Sequence, residues 1–354
     1  ICEGLVGSEM CIRDSIAAWR RDIHQNPELL FETHRTSAFV ADKLREFGCD
    51  EVVEGIGRTG VVGVIKGGNT SSGRVIGLRA DMDALPMQEQ TGLDYASRID
   101  GAMHACGHDG HTAMLLGAAK YLTETRNFDG TTVLIFQPAE EGGGGGKEMC
   151  DDGMMARWNI NEVYGMHNMP GMPVGNFAIR AGSFFAATDT FDLVLEGLGG
   201  HAAKPHETID TTVMSSHLIL ALQTIASRNA DPIDQIVVSV TSVETSSKAY
   251  NVIPQNVYIK GTVRTMSKKM RILAEKRISE ICDGIASTFG GTIEVTYRRG
   301  YPVMVNHEDQ TKFAAEVARS VSGSCEEADL VMGGEDFSYL LEERPGAYIL
   351  VGNG

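Results

Sequence analysis

Segments with strand-like composition alternate with helix-like segments along the first half of this 354-residue chain. Short runs rich in β-branched and other apolar residues predict strands at 61–65, 75–78, 131–136 and 162–166. Apolar residues at helical spacing predict helices at 16–24, 33–47 and 109–125. Because strands that alternate with helices usually pair in parallel, the pattern indicates an α/β fold whose mixed, mostly parallel sheet has helices on both faces.

The pattern changes near Ala187, where the segments follow one another in the order β-α-β-β-α-β. The predicted strands lie at 188–196, 235–241, 256–263 and 292–297, and the predicted helices at 208–228 and 268–289. This order is that of a ferredoxin-like α+β unit. Since the α/β pattern resumes with a helix at 310–322 and a strand at 348–351, we predict an inserted domain. The first domain then comprises residues 16–186 and 299–354, and the inserted domain comprises residues 187–298.

Residues 1–15 stand outside both predicted domains. They lack the basic n-region and the apolar stretch of a signal peptide. Residues 6–15 (VGSEMCIRDS) are more typical of a translated cloning remnant than of native sequence. We therefore expect residues 1–15 to be a non-native remnant.

The composition excludes several classes of partner. The chain has 31 Lys and Arg against 47 Asp and Glu, a net charge of −16, whereas nucleic acid and anionic membranes favour a basic surface. Its apolar runs are far shorter than the roughly 20 residues of a membrane span. The seven scattered cysteines are odd in number and include no CxxC pair, which predicts reduced thiols in a cytoplasmic protein.

Three clusters of potential metal ligands lie at predicted strand ends or at a helix start. They are residues 104–111 (HACGHDGH), 137–142 (QPAEEG) and 165–168 (GMHN). Ligands of open α/β sheets bind beyond the carboxyl ends of the strands, so the three clusters are expected to converge. Because thiolate, imidazole and carboxylate groups bind zinc-like divalent cations, the sequence predicts a metal site.

The adjacent Glu140 and Glu141 suggest a division of labour. One carboxylate can bind metal while its neighbour accepts a proton from a water whose pKa the metal lowers to about 7. Two-metal sites also need a bridging ligand, for which Cys106 is suited.

Other catalytic signatures are absent from the sequence. It contains no HExxH, no GxSxG and no Rossmann GxGxxG motif, and the glycine run before Lys147 departs from the Walker A motif.

Five ordered motifs resemble those of the M20 metallopeptidase family. They are residues 79–86 (RADMDALP), 106–111 (CGHDGH), 138–141 (PAEE), 165–168 (GMHN) and 199–203 (GGHAA). Within this family, the chain is similar to the amidohydrolase branch that holds hippurate hydrolases, N-acyl-amino-acid amidohydrolases and plant auxin-conjugate hydrolases. The resemblance covers residues 16–354. It implies a catalytic, metal-binding first domain and an inserted domain that serves as a lid and in dimerisation.

The resemblance also implies roles for individual residues. Two divalent ions per subunit, usually manganese or zinc with cobalt or nickel also suited, are held by Cys106, His108, Glu141 and His167. Glu140 matches the general base, and Asp83 matches an acidic residue that orients the metal site. His201 matches a histidine that stabilises the tetrahedral oxyanion, often across a dimer interface. Asn251 and Arg264 lie in segments that resemble those contacting substrate.

Other histidines have no such role. His111 is expected to be structural or to orient the ligands rather than to bind metal, and His24 has no catalytic assignment. The family carries a fifth ligand, a histidine shortly after the segment that resembles residues 348–354, and His307 lies too early to replace it. We therefore expect the sequence to be a fragment of a longer enzyme. The fragment is expected to bind its second metal poorly or to be inactive, whereas the intact protein should be an enzyme.

The sequence thus predicts a metal-dependent amidohydrolase that cleaves the amide bond of N-acyl amino acids. Two alternatives stay open. One is a dinuclear aminopeptidase or dipeptidase of the same family, and the other is a non-catalytic member that binds metal or acyl amino acids. The expected partners are a small N-acyl amino acid and a second copy of the chain, since half-exposed strands in the inserted domain favour a homodimer.

Overall fold

The computed structural model describes residues 2–354, and for residues 2–12 it describes the backbone alone. These residues fall into two compact units. Ser183–Met304 and Leu330–Glu335 form the second unit, and the other described residues form the first. The domain boundaries predicted at 186/187 and 298/299 stay predictions. The proposed remnant, residues 1–15, lies partly outside the described residues.

Along the chain the helices are α1 (Cys2–Gln25), α2 (His34–Phe47), α3 (His108–Thr125), α4 (Gly145–Asp151), α5 (Met154–Arg157), α6 (Thr211–Leu222), α7 (Lys268–Phe289), α8 (Glu308–Ser322) and α9 (Phe337–Glu343). The strands are β1 (Glu51–Ile56), β2 (Gly60–Lys66), β3 (Val75–Asp81), β4 (Thr131–Gln137), β5 (Glu162–Met169), β6 (Phe177–Ile179), β7 (Gly182–Phe185), β8 (Ala187–Glu196), β9 (Gly200–His201), β10 (Ile236–Thr245), β11 (Val252–Ile253), β12 (Asn256–Thr265), β13 (Thr292–Arg299), β14 (Met304–Asn306), β15 (Glu326–Glu327) and β16 (Gly346–Gly352). Among the described residues, no helix combines the length and the apolar composition that crossing a membrane requires.

The first unit is built on an eight-stranded sheet with the order β1-β2-β4-β3-β5-β16-β6-β15. Strands β4, β3, β5 and β16 at its centre pair in parallel, while β1, β2 and β6 contribute antiparallel pairs. Burial extends to β2 (GVVGVIK), the neighbour of edge strand β1, in which every residue before the final lysine is buried. Such a continuous apolar run suits a strand covered on both faces. The predicted α/β fold with a mixed, mostly parallel sheet is confirmed.

Helices cover both faces of this sheet. Helix α8 packs on β6 and β16, where Ala315 lies in one cluster with Ile179 and Ala347. At the start of α9, the ring of Phe337 lies 5.1 Å from the ring of Tyr348. Because successive side chains of a strand point to opposite faces, the neighbours Ala347 and Tyr348 contact different helical layers.

The second unit is a four-stranded antiparallel sheet of order β10-β12-β8-β13, with α6 and α7 packed on it. Leu193 and Leu195 from β8, Leu218 from α6 and Ile278 from α7 share its buried core. Along the chain the elements follow the predicted ferredoxin-like order, β8-α6-β10-β12-α7-β13. Strands β10 and β13 form the two edges of the sheet.

The helix predicted at 208–228 is divided in the structure. Helix α6 begins only after Asp210, whose carboxylate accepts hydrogen bonds from the backbone N–H groups of Thr212 and Val213. This is an N-cap, which satisfies donors that the first helical turn leaves unpaired. After α6, Ile225–Asn229 forms a short π-helix. Buried apolar residues continue at helical spacing from α6 into the π-helix, at Met214, Leu218, Leu222 and Ile225. The sequence pattern therefore does not reveal where one helical segment ends and the next begins.

Other elements also differ from the prediction, and three of them illustrate why. Helix α1 extends back to Cys2, although the sequence predicts it only from residue 16. Strand β1 (EVVEGI) is not predicted, because two glutamates and a glycine interrupt its apolar residues at the exposed edge of the sheet. Strand β5 continues to Met169, so His167 lies within the strand rather than directly after it.

Candidate active site

The predicted ligand clusters meet at one edge of the main sheet. Strands β3 and β4 pair in parallel and end at Asp81 and Gln137, so the segments that follow them leave the sheet side by side. On the other side of β3, strand β5 carries His167. Helix α3 begins at His108. The site therefore lies beyond the carboxyl ends of parallel strands, as expected for this class of fold.

Asp83, just beyond β3, holds the turn that carries the two glutamates. Its Oδ1 accepts a hydrogen bond from the Glu140 backbone N–H at 2.9 Å, and its Oδ2 accepts one from Glu141 at 3.1 Å. The preceding Ala139 has a φ of 55°, a left-handed conformation that is strained for a residue other than glycine. Asp83 is fully buried and thus determines where both glutamates lie.

A backbone hydrogen bond orients the His108 ring. Its Nδ1 donates to the Asp83 carbonyl oxygen at 2.8 Å, so the neutral imidazole has its lone pair on Nε2. This buried Nε2 has no hydrogen-bond partner among the described residues. It lies 3.6 Å from Asp81 Oδ2, 3.8 Å from Glu141 Oε1 and 4.0 Å from Glu140 Oε2. The nitrogen therefore faces three carboxylates.

Cys106 and His167 face each other, with Sγ and Nε2 3.5 Å apart. His167 Nδ1 donates to the Asn168 carbonyl oxygen at 2.6 Å, which leaves Nε2 directed at the sulfur. Gly107, which precedes α3, has a φ of 88°, and a Cβ there would lie 2.5 Å from Asn168 Oδ1. Only glycine tolerates both this backbone conformation and the close approach of Asn168. A glycine is therefore required at the position between Cys106 and His108.

Potential ligand atoms form two overlapping groups, in each of which the atoms lie within 4.8 Å of one another. The first group is Cys106, His108 and His167, and the second is His108, Glu140 and Glu141. His108 Nε2 and Glu141 Oε1 are buried without partners among the described residues, although buried polar atoms are normally paired. A divalent cation would satisfy both atoms, and the thiol, imidazole and carboxylate donors fit such an ion.

Burial makes this site sensitive to protons. It raises the pKa of the Cys106 thiol and of the Glu141 carboxyl above their ordinary values. Burial is the largest single influence on His108 and lowers its pKa, but the Asp81 carboxylate together with the contacts to Asp83 and Cys106 raises the pKa well above its usual range. Because ligands must be deprotonated to bind a metal, cations and protons compete for these three groups.

A third group of close ligand atoms comprises Asp81, His108 and His111. Asp81 accepts hydrogen bonds from Arg79 at 2.7 Å and from His111 Nδ1 at 2.6 Å. Burial is the largest single influence on Asp81 and raises its pKa, but the Arg79 guanidinium together with His108 and His111 brings the pKa well below its usual range. The carboxylate of Asp81 is therefore already paired within the protein.

Asp81 belongs to a network of buried ion pairs and hydrogen bonds that no sequence pattern predicts. Buried Arg79 also donates to Gln137 Oε1 at 2.9 Å and to Asp336 Oδ1 at 2.8 Å. Asp336 in turn accepts hydrogen bonds from the Gln137 side-chain amide and from the Gly146 backbone N–H, each at 2.8 Å. Arg79 stands in a motif singled out above, whereas Asp336 follows no recognisable pattern and is 257 residues away.

The other predicted site residues lie in the second unit. Strands β9 and β11 pair, which places His201 beside Asn251. His201 Nδ1 accepts the Ala203 backbone N–H at 3.1 Å, so the neutral ring carries its proton on Nε2. Arg264 lies near the opposite end of β12, eight residues beyond Asn256. Eight extended residues span about 26 Å, so Arg264 lies at the end of β12 remote from Asn256, whereas the segment with Asn251 and β11 precedes Asn256.

The chain is similar in sequence and structure to proteins of one family. A sequence profile of Peptidase family M20/M25/M40 matches residues 77–354. A hippurate hydrolase of Campylobacter jejuni is 44% identical over 337 residues, which cover 94% of this chain and 87% of that protein. IAA-amino acid hydrolase ILR1-like 2 of Arabidopsis thaliana is 42% identical over 340 residues, covering 94% of this chain and 75% of that protein. The crystal structure of the Bacillus subtilis YXEP protein, a dinuclear metal binding peptidase from the M20 family, has a TM-score of 0.84 at 34% identity and covers 97% of this chain and 89% of that one.

Proposed function

Since the chain belongs to peptidase family M20/M25/M40, in the amidohydrolase branch of that family, we propose that it hydrolyses the amide bond of N-acyl amino acids. The products are a carboxylic acid and a free amino acid. The observation that carries this proposal is the convergence of one thiol, two imidazoles and two carboxylates beyond the carboxyl ends of parallel strands. The similarity to a hippurate hydrolase and to an IAA-amino acid hydrolase supports this class of substrate.

Divalent metal use is supported by the dinuclear relative and by the ligand groups of this chain. We propose that two ions per subunit are held by Cys106, His108, Glu141 and His167. Manganese and zinc suit these donors, and cobalt and nickel are compatible with them. When bound, such ions lower the pKa of water and polarise a substrate carbonyl. The unpartnered His108 Nε2 and Glu141 Oε1 support this choice of ligands.

Glu140 is the proposed general base. Its Oε2 lies 4.0 Å from His108 Nε2, so the carboxylate is next to the ligands while Asp83 holds its backbone. In that position it takes a proton from the attacking water and later delivers it to the leaving amine nitrogen. Asp83 is proposed as a positioning residue, because its carbonyl oxygen and carboxylate hold His108, Glu140 and Glu141.

The second unit supports a homodimer. Arg264 lies eight residues, about 26 Å of strand, from Asn256, and the β9–β11 pair that carries His201 lies at the Asn256 end of β12; this length of strand exceeds that of an N-acyl amino acid. If both side chains contact one substrate, they must come from two copies of the chain. Edge strand β10 and the outward side chains of α6, with Val213 45% and Leu220 69% exposed, offer a surface for such pairing.

We also propose a cytoplasmic location, which the unpaired state of the cysteines supports. The unpaired thiols among the described side chains are Cys49, Cys106, Cys150, Cys282 and Cys325. Proteins of oxidising compartments tend to pair their cysteines, whereas cytosolic proteins keep them reduced.

Free-amine release from N-benzoylglycine and N-acetyl amino acids tests the function. With added manganese we expect release, and EDTA is expected to abolish it because the proposed ligands act only through the metal. Unblocked dipeptides are the comparison. Cleavage of unblocked dipeptides alone would favour an aminopeptidase or dipeptidase, and binding of acyl amino acids without any product would favour a non-catalytic member.

Mixing two inactive variants tests the dimer. His201→Ala and Arg264→Ala are each expected to lose most activity, since each removes one contact from every site. After the two are mixed and allowed to exchange subunits, half of the dimers are mixed, and each has one intact site. About one quarter of the wild-type activity should therefore return. Sedimentation of the wild type as a monomer at low concentration, or the absence of any recovery despite exchange, would contradict the proposal.

A further inference from the structure

We propose that His111 is a positioning residue that fixes the orientation and the tautomer of His167 through the backbone of Asn168. This inference rests on the proposed function, because His167 is one of the proposed metal ligands. The sequence leaves open whether His111 is structural or orients the ligands, and the structure buries its side chain among them.

The hydrogen bonds of His111 determine its own protonation. The Asn168 backbone N–H donates to His111 Nε2 at 3.0 Å, so Nε2 must carry the lone pair. Its Nδ1 lies 2.6 Å from Asp81 Oδ1 and donates to that carboxylate. Asp81 is held in turn by Arg79 at 2.7 Å. His111 is therefore a neutral imidazole with its proton on Nδ1, and both ring nitrogens are engaged.

The backbone carbonyl of the same residue, Asn168, determines the tautomer of His167. The Asn168 carbonyl oxygen accepts the His167 Nδ1 proton at 2.6 Å, which leaves the His167 Nε2 lone pair directed at Cys106 Sγ, 3.5 Å away. A continuous path thus runs from Arg79 through Asp81, His111 and Asn168 to a proposed ligand. The N–H and the carbonyl of Asn168 belong to successive peptide groups that meet at its Cα, so a change of backbone conformation at Asn168 that broke the His111 contact would also move the carbonyl that holds the His167 ring.

Ring contacts place His111 between both ligand histidines. Its centroid lies 4.6 Å from that of His167 in an edge-to-face arrangement and 5.4 Å from that of His108 in a stacked one. The ring therefore limits the rotation of His108 and His167 sterically. Partners that orient a metal-binding histidine typically change metal affinity or activity by about 10- to 100-fold when they are removed.

Two substitutions separate the contacts of His111. The side-chain amide of His111→Asn reaches Asp81 in place of Nδ1 but is too short to accept the Asn168 N–H. In His111→Gln, the longer side chain places an acceptor near the position of Nε2. The matched control is Thr112→Val on the next residue, since buried Thr112 donates to the Asp81 carbonyl oxygen at 2.8 Å and does not contact Asn168.

The test follows the thiolate-to-cobalt absorption of the Co²⁺-loaded protein as a chelator removes the metal. We expect His111→Asn to hold Co²⁺ about 10- to 100-fold more weakly than wild type, and His111→Gln and Thr112→Val to stay within about threefold. Co²⁺ stoichiometry should be unchanged in all variants. Wild-type affinity in His111→Asn would overturn the proposal, and loss of one Co²⁺ equivalent in both His111 variants would show that His111 is itself a ligand.

These readouts need no substrate. If wild-type protein failed to cleave any N-acyl amino acid while His111→Asn still weakened Co²⁺ retention, the proposed function would fail and the positioning role would stand. Equal weakening in His111→Asn and Thr112→Val would instead show a general structural effect and would also overturn the proposal.

Discussion

Glu140→Gln is expected to lower the turnover of N-benzoylglycine by about 10²- to 10⁴-fold, the range typical of a lost general base. Glutamine has the shape of glutamate, but its amide oxygen does not take up a proton near neutral pH. Because the Asp83 carboxylate holds the Glu140 backbone N–H at 2.9 Å, the turn should keep its conformation. Metal content is expected to equal that of wild type, since Glu140 is not a proposed ligand. Steady-state kinetics and metal analysis of the same preparation measure both quantities.

Glu141→Gln is the matched control, because it makes the same chemical change on the adjacent residue. The Glu141 carboxylate is a proposed ligand, and its Oε1 is buried without a partner among the described residues. This variant is expected to lose bound metal, and its activity should fall together with the metal content. Near-normal turnover in Glu140→Gln would show that the base is wrongly assigned, and loss of metal there would make Glu140 a ligand instead.

Arg79→Met is expected to lower the free energy of unfolding by about 3–5 kcal/mol, the cost typical of breaking a buried ion pair from one side. Arg79 donates to Asp81 at 2.7 Å and to Asp336 at 2.8 Å, and both carboxylates are completely buried. Methionine fills much of the arginine volume but leaves two carboxylates without their cation. Denaturant unfolding followed by circular dichroism, at constant metal concentration, measures the loss.

Arg74→Met provides the control. Arg74 directly precedes β3, the strand that contains Arg79. Arg74 pairs with Glu162 at 2.9 Å, but its side chain is 63% exposed. Exposed pairs of this kind contribute at most about 1 kcal/mol, so this variant should unfold almost like wild type. If Arg79→Met does not fold, Arg79→Lys retains the charge without the planar donor geometry and should show a smaller loss. Equal stability of the Arg79 and Arg74 variants would contradict the role of the network.

Local patterns suffice to predict much of this protein. Apolar periodicity predicts the alternating elements of the first unit and the β-α-β-β-α-β order of the second, because each pattern reflects which faces of an element are buried. The motifs around Cys106, Glu140 and His167 predict ligands that the structure brings to one edge of the sheet. Their convergence, though not their role as ligands, is observed in the structure. It is predictable because parallel strands direct their carboxyl ends to the same edge, so residues that follow different strands become neighbours.

Other features follow no local pattern. Asp336 supports Arg79 from 257 residues away, and no neighbouring residue marks it as part of an ion network. The role inferred for His111 depends on hydrogen bonds to Asp81 and Asn168, which lie on two different strands or strand ends. Likewise, only the register of β12 shows that Arg264 lies far from His201. Side-chain partners across a fold depend on three-dimensional packing, and periodicity along the chain carries information only about each element's own faces.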